Sequence, residues 1–319
     1  MIAPFAFLAR QGRFILLAGL ALGAALPAVT LAMRPLIPAF PAVLLFLAAL
    51  RIGPGAAALV RTSLLRPVAA MFVLQLALPM AVVGLSLWLG WSGPLVAAVT
   101  VMAAAPALAG SPNLTQLAGG DPLPALRLVV ITTAAVPLTA PLAFLLAPGL
   151  GDAATVTAAA GRLFLVIGGS VAAGVGLSLA APVLRLPAAL TVVDGLSVLS
   201  LAGMVIGLMS AVGPALRTPD LALAVLVTTA FVANFGLQIA GWMIGGAFGF
   251  GTERTAYAMV AGNRNIALFL AALPPAIAEP LLGFIGFYQI PMFLTPLLLG
   301  ALGRREAMGR GADRPENRV

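Results

Sequence analysis

The chain has 319 residues, of which 62% are hydrophobic and 8% are charged, a composition typical of a polytopic membrane protein. It contains neither cysteine nor histidine, which excludes disulfides, thiolate chemistry and the commonest zinc ligand and general base. The net charge of +8 comes from arginines scattered between apolar runs, which favours orientation in a membrane over nucleic-acid binding.

A membrane span needs about 20 apolar residues, and ten segments of the chain fit this requirement. Proline and glycine separate them, and the segment 56–65 between the second and third is either a surface amphipathic helix or a loop. The predicted spans, numbered one to ten, are residues 14–33, 36–50, 67–91, 94–118, 123–147, 162–184, 187–213, 220–248, 255–274 and 279–302.

The arginines predict the orientation of these spans. With both termini in the cytoplasm, thirteen arginines lie inside and only Arg34, Arg162 and Arg217 lie outside, as the positive-inside rule requires. Arg264 remains within span nine. The residues from 304 to 319 are predicted to form a disordered cytoplasmic tail. The expected location is the inner membrane.

Five spans precede the loop at 149–160 and five follow it, so residues 1–148 and 161–303 are predicted to be two repeats of opposite orientation. Span four contains Gly110-Ser111-Pro112-Asn113, and span nine contains Gly262-Asn263-Arg264-Asn265. A lone Gly-x-x-Asn is more often a helix-packing motif with one hydrogen bond. Two such interruptions at equivalent positions of inverted halves instead indicate a transporter's binding site.

The same stretches resemble the bile acid:sodium symporter family. The resemblance is clearest over residues 65–145 and 220–300. It is carried by Ala109–Asn113, Leu117–Asp121, Arg254-Thr255, Gly262–Leu268, and Asn234 with Gly236. It implies an all-α fold of ten transmembrane helices as a five-plus-five inverted repeat, in which spans four and nine are discontinuous and cross. Spans one, two, six and seven would form a panel domain, and the other six a core domain.

The resemblance also implies site residues. Among the family's sodium ligands, Asn113 matches the Asn, whereas Pro112 stands where the family has Ser, with Ser111 beside it. Thr132 and Thr133 lie in the region of the family's span-five hydroxyls, and Gln75 resembles a further ligand, although its spacing to Pro79 is off by one. The candidate ion ligands are therefore Ser111, Asn113, Thr132, Thr133 and Gln75.

Tyr288 and Gln289 stand where the family has a polar pair that faces the substrate cavity, although each alone is more often an interhelical hydrogen-bonding residue. The candidate substrate-binding residues are these two with Asn113, Asn234, Arg264 and Asn265.

At two positions of span nine the chain departs from the family. Val260 and Arg264 stand where the family has Glu and Gln, so a carboxylate is lost and a cation is gained. Two unit charges about 4 Å apart repel by roughly 4 kcal/mol at an effective dielectric of 20. Two sodium sites beside Arg264 are therefore not expected, and one weakened site near Asn113 and Thr132 or Thr133 stays open.

Three interpretations of Arg264 remain open. Its guanidinium replaces a coupling cation by donating to freed carbonyls and to Asn113, or it grips a carboxylate or sulfonate of the substrate. In the third interpretation it pairs with a buried acid and is structural. Asp194, the one carboxylate well inside a predicted span, is either a proton carrier or a residue favoured by the start of span seven.

The sequence thus predicts a transporter that moves a small or amphipathic organic anion by alternating access. The coupling ion is Na⁺, H⁺ or none, and the protein is a monomer or homodimer in the lipid bilayer. An exporter or antiporter of the same fold and a non-transporting membrane sensor are the alternatives. Without histidine, cysteine or a clustered pair of carboxylates, an enzyme is not expected.

Overall fold

In the computed structural model, residues 3–55 and 64–312 are described, and within these ranges the protein is all-helical. Most of the segment 56–65 and the last seven residues lie outside the described residues. The α-helices are α1 (Ala3–Ala25), α2 (Pro27–Met33), α3 (Ala39–Ile52), α4 (Leu65–Trp88), α5 (Pro94–Ala104), α6 (Ser111–Leu117), α7 (Pro122–Phe144), α8 (Ala153–Ala180), α9 (Pro187–Arg217), α10 (Leu221–Ala247), α11 (Arg254–Gly262), α12 (Pro275–Ala278) and α13 (Leu282–Ala312).

Six segments within the described ranges are helices long and apolar enough to cross a membrane: α4, α7, α8, α9, α10 and Pro275–Leu302. Two bent pairs, one within α1 and the other joining Pro27–Leu36 to Ala39–Ile52, raise the number to eight if each pair is one span. The structure therefore supports a coarser statement than ten spans, namely that the chain has several apolar helices long enough to cross a membrane. The two predicted spans that this criterion omits are four and nine, because each is broken near its middle.

Three predicted boundaries were wrong. The helix α1 ends at Ala25 instead of running to residue 33, because Pro27 has no N–H and begins a new helix. The helix α8 begins at Ala153, inside the predicted loop, and α13 continues to Ala312, into the predicted tail.

The start of α8 follows from an N-cap that the apolar pattern does not reveal. The carboxylate of Asp152 accepts a hydrogen bond of 2.8 Å from the backbone N–H of Thr155. That bond favours the charged form and lowers the pKa of Asp152 below its usual value.

Candidate functional site

The breaks in predicted spans four and nine meet. Between α5 and α6 the chain is extended at Ala105, and after α11 it is extended at Asn263. The N–H of Leu108 donates to Asn263 O at 2.9 Å, and an antiparallel bridge pairs Ala107 with Arg264. The N–H of Asn265 donates to the carbonyl of Pro106 at 2.8 Å. We call the paired residues 105–110 and 263–265 the crossover.

The first break lies slightly earlier than the sequence suggested. The residues from Ser111 to Asn113 form the first turn of α6, while the unwound part is the preceding stretch that begins at Ala105. Pro106 ends α5, because a proline disfavours α-helical geometry in the residue before it and has no N–H of its own. Gly110 and Asn113 therefore indicated the approximate position of the break in the sequence, but Pro106 causes it.

The side chain of Arg264 lies at the centre of the crossover and is 1% exposed. Its Nη2 donates to the carbonyl oxygens of Leu74, in α4, and Ala103, in α5, at 2.9 Å each. A single charged nitrogen thus holds two other segments against the second break. Hydrogen bonds from a charged donor contribute about 1.5–3 kcal/mol each, which offsets the cost of burying the charge.

Prolines leave both of these carbonyls without a helical donor. The helix α4 has a π-helical turn at Val73–Ala77, in which the N–H of Leu78 bonds to Val73 instead of Leu74, and the next residue is Pro79. Leu74 O therefore has no N–H in either the α or the π register.

At Ala103 the donor three residues on is Pro106, which has no N–H. The donor four residues on, the N–H of Ala107, instead bonds to Thr132 Oγ1 at 3.0 Å. Arg264 therefore satisfies two carbonyls that would otherwise be orphaned in an apolar interior, where an unpaired polar group costs several kcal/mol, about the worth of a strong hydrogen bond.

Some hydrogen-bond donors of Arg264 are not used by these contacts. Its Nε and Nη1 are buried and have no hydrogen-bond partner. In the described part of the chain no ion pair joins Arg264 to a carboxylate, so the interpretation that it pairs with a buried acid finds no support. The proposed contact with freed carbonyls is present, but the proposed bond to Asn113 is absent from the described hydrogen bonds, and Asn113 is exposed.

A second polar cluster surrounds the end of α11. The carbonyl of Gly262 accepts hydrogen bonds from Asn234 Nδ2 at 2.8 Å and from the hydroxyl of Tyr288. Asn263 Oδ1 accepts from Asn234, Gln238 and Thr295, at 3.1, 3.4 and 3.0 Å. These side chains are all buried.

The sequence interpretation found Asn234 and Tyr288 in this cluster but missed Gln238, Asn263 and Thr295. Gln238 lies one helical turn after Asn234, so it shares a face of α10 with that residue, and this spacing could have revealed it. Thr295 carries no such local signal, because it reaches the cluster from α13 only through the fold.

Among the predicted ion ligands, only Gln75 and Thr132 come together. Gln75 Nε2 donates to Thr132 O at 3.0 Å, and the Thr132 hydroxyl donates to Leu128 O at 2.6 Å. Ser111 is buried, and its hydroxyl has no partner within the described ranges. Thr133 is also buried, and among the described residues its hydroxyl makes no hydrogen bond. Asn113 is exposed, so these positions do not form one oxygen cage.

The other predicted substrate residues are placed less centrally. Asn265 is half-buried and joins the crossover through its backbone N–H. Gln289 is buried, and its Oε1 has no partner. Both therefore keep side-chain polar groups that a ligand or water would satisfy.

Asp194 is engaged by Arg51. Their closest contact is 2.6 Å, between Nε and Oδ1, and their side chains are 52% and 34% exposed. The ion pair favours a structural role for Asp194, but the helix start does not, because α9 begins at Pro187 and the effect of a helix terminus falls off within the first turn. The role of proton carrier stays an untested prediction.

The described residues contain no group of three or more acidic, His or Cys residues that could hold a metal ion. Comparison of the chain with protein-family models and with curated proteins finds no match. The geometry of the crossover is therefore the basis for the function proposed next.

Proposed function

We propose that this protein is a secondary transporter for a small or amphipathic organic anion, working by alternating access around the crossover. The observation that carries the proposal is the pairing of two broken helices at a buried arginine. Non-helical backbone at membrane depth is tolerated only where protein buries it or where it lines a cavity. Paired discontinuous helices are the usual substrate-site construction of transporters built from inverted repeats.

The proposed topology has ten spans in two inverted halves, with both termini in the cytoplasm. It is supported by the ion pairs, because each joins two residues that lie towards the same side of the membrane in this topology; Asp194 lies within span seven, towards its inner end. These are Arg34–Glu279 on the outside, at 3.5 Å, and Arg51–Asp194 and Arg66–Glu253 on the inside, at 2.6 and 3.5 Å. An independent contact, from Arg162 Nη1 to Ala272 O at 3.3 Å, joins two positions assigned to the outside.

The distribution of apolar clusters supports a division into panel and core. In the outer half of the proposed topology one continuous cluster joins panel helices to core helices; its members include Ile37, Leu163, Leu208, Phe144, Phe269 and Phe284.

Towards the inner ends most clusters separate, although one small cluster, around Leu16 and Val205 of the panel, also includes Phe293 of the core. One cluster around Leu128 and Tyr257 and another around Trp242 and Leu299 contain only core residues, whereas the one around Leu50 and Val193 contains only panel residues. This arrangement fits a carrier in which panel and core pack together at the outer side and have fewer contacts at the inner side. That is the inward-facing state of alternating access.

The class of substrate follows from Arg264. Its unpartnered Nε and Nη1 are cationic donors in a site otherwise lined by neutral groups. An anionic group that entered between panel and core would satisfy them, and hydrogen bonds between opposite charges are about twice as strong as neutral ones. A carboxylate or sulfonate on an apolar body suits both this arginine and the apolar surroundings.

Uptake into proteoliposomes tests the proposal. Purified protein is reconstituted, and a panel of labelled organic carboxylates and sulfonates is offered under imposed sodium, potassium or proton gradients. We expect uptake of at least one anion by wild type, loss of that uptake in Arg264→Gln, and retention in Arg162→Gln. The second variant removes another arginine that bonds a backbone carbonyl. Binding without uptake would favour a membrane sensor, and neither binding nor uptake would refute the proposal.

A further inference from the structure

We infer that the guanidinium of Arg264 is the resident cation of the crossover, so that the site is complete without sodium or another metal ion. The statement about the site stands on the contacts of Arg264 alone. Its consequence for coupling, that anion transport does not require a sodium gradient, rests on the proposed function.

The two acceptors of Arg264 Nη2 are groups of the kind that bind cations. Leu74 O and Ala103 O are backbone carbonyls that converge on one point, 2.9 Å from the same nitrogen. Carbonyls freed by helix breaks within a membrane are the groups from which transporters and channels build sites for alkali cations. Here that point is occupied by Nη2, a positively charged group attached to the protein.

Electrostatic repulsion from Arg264 disfavours a second cation at this point. A sodium ion about 4 Å from the guanidinium would meet a repulsion that lowers its affinity on the order of a thousandfold at an effective dielectric of 20. No carboxylate in the described ranges pairs with Arg264 to cancel this repulsion. The same site cannot therefore hold both cations.

The acceptors at the end of α11 are occupied as well. Gly262 O and Asn263 Oδ1 would also suit a cation, but they already accept hydrogen bonds from Asn234, Gln238, Thr295 and Tyr288. A metal ion here would have to displace several buried donors and leave them unsatisfied. Both breaks are thus closed by the protein's own donors.

The nitrogen atoms of the Arg264 side chain therefore have two different roles. Nη2 holds α4 and α5 against the second break, and the unpartnered Nε and Nη1 keep positive charge for an anion. A carrier that gains its positive charge from sodium binds its anion only after the ion arrives. In this protein the charge is permanent, so anion binding needs no second ligand.

Chemical rescue tests the inference in purified, detergent-solubilised protein. The variant Arg264→Ala removes the guanidinium and leaves the two carbonyls facing a space of matching shape. We expect it to unfold at a lower temperature than wild type, and millimolar guanidinium chloride to recover part of that loss when equal potassium chloride does not. Wild type and Arg162→Ala serve as controls in which guanidinium gives no such recovery.

Two further arms keep the test decisive if Arg264→Ala does not fold. Wild type is expected to have the same unfolding temperature in sodium chloride as in potassium chloride. Arg264→Lys, which retains a cation, is expected to unfold at a higher temperature than Arg264→Gln.

Stabilisation of wild type by sodium over potassium, or a Lys variant no better than Gln, would overturn the inference, as would an Ala variant that folds but is not rescued. These measurements need no transport. Failure of all anions in the uptake assay would thus refute the proposed function and leave the resident cation standing.

Discussion

Gly262, the last residue of α11 before the crossover, is packed tightly against α10. A Cβ added there would lie 2.3 Å from the backbone oxygen of Asn234 and 2.3 Å from Gln238 Cγ. Both distances are far below van der Waals contact, and the first involves backbone, which cannot rotate away. We therefore expect Gly262→Ala to push α10 and α11 apart, with an overpacking cost of about 1–3 kcal/mol.

The same shift would break functional contacts, because Gly262 O and the neighbouring Asn263 accept the hydrogen bonds from α10. Thermal unfolding in detergent and anion uptake in proteoliposomes measure the two effects. The matched control is Gly236→Ala on the exposed face of α10, where an added Cβ meets nothing within 4 Å. There we expect unchanged uptake and a small gain in stability, of up to about 1 kcal/mol. Equal behaviour of the two variants would refute the packing argument.

Two other side chains give predictions that differ in size. Thr132→Val leaves the N–H of Ala107 unsatisfied, so we expect a loss of about 1–3 kcal/mol in the free energy of unfolding, against little change for the buried neighbour Thr133→Val. Equal losses in denaturant titrations would contradict that role. Asp194→Asn removes a partly exposed ion pair with Arg51, so we expect a loss of at most about 1 kcal/mol and an unchanged dependence of uptake on pH. An uptake rate that no longer responds to pH would instead establish Asp194 as a proton carrier.

The helical class and most of the long helices could be predicted from the sequence, because runs of about 20 apolar residues have few alternatives to a membrane helix. Where this reasoning failed, short-range chemistry decided the outcome. Pro27 divided one predicted span, and the Asp152 cap started α8 inside a predicted loop. Neither effect changes the hydrophobicity of the segment, so neither appears in a search for apolar runs.

The location of the crossover was predictable, but its construction was not. The polar residues after Gly262 and the matching stretch before Asn113 marked two interruptions in apolar segments. The acceptors of Arg264 were hidden, because they are backbone carbonyls whose freedom depends on Pro79 and Pro106. The sequence predicted bonds from Arg264 to freed carbonyls without indicating which ones, and it also predicted a bond to Asn113, which is exposed.

The chain contains no cysteine, so single cysteines can test most directly whether the two sides of the crossover open alternately. We propose Asn113→Cys, exposed towards the inner end, and Leu281→Cys, 1% exposed at the outer end. A membrane-impermeant maleimide reacts only with thiols in contact with water, so it also distinguishes a cleft from a lipid-facing surface.

The labelling is done in vesicles of each orientation, with and without a transported anion. We predict that Asn113→Cys reacts only from the cytoplasmic side, and that an anion which shifts the protein outwards protects it and exposes Leu281→Cys to the outside. Reaction of Asn113→Cys from the outer side, or no effect of the anion at either position, would contradict alternating access around the crossover.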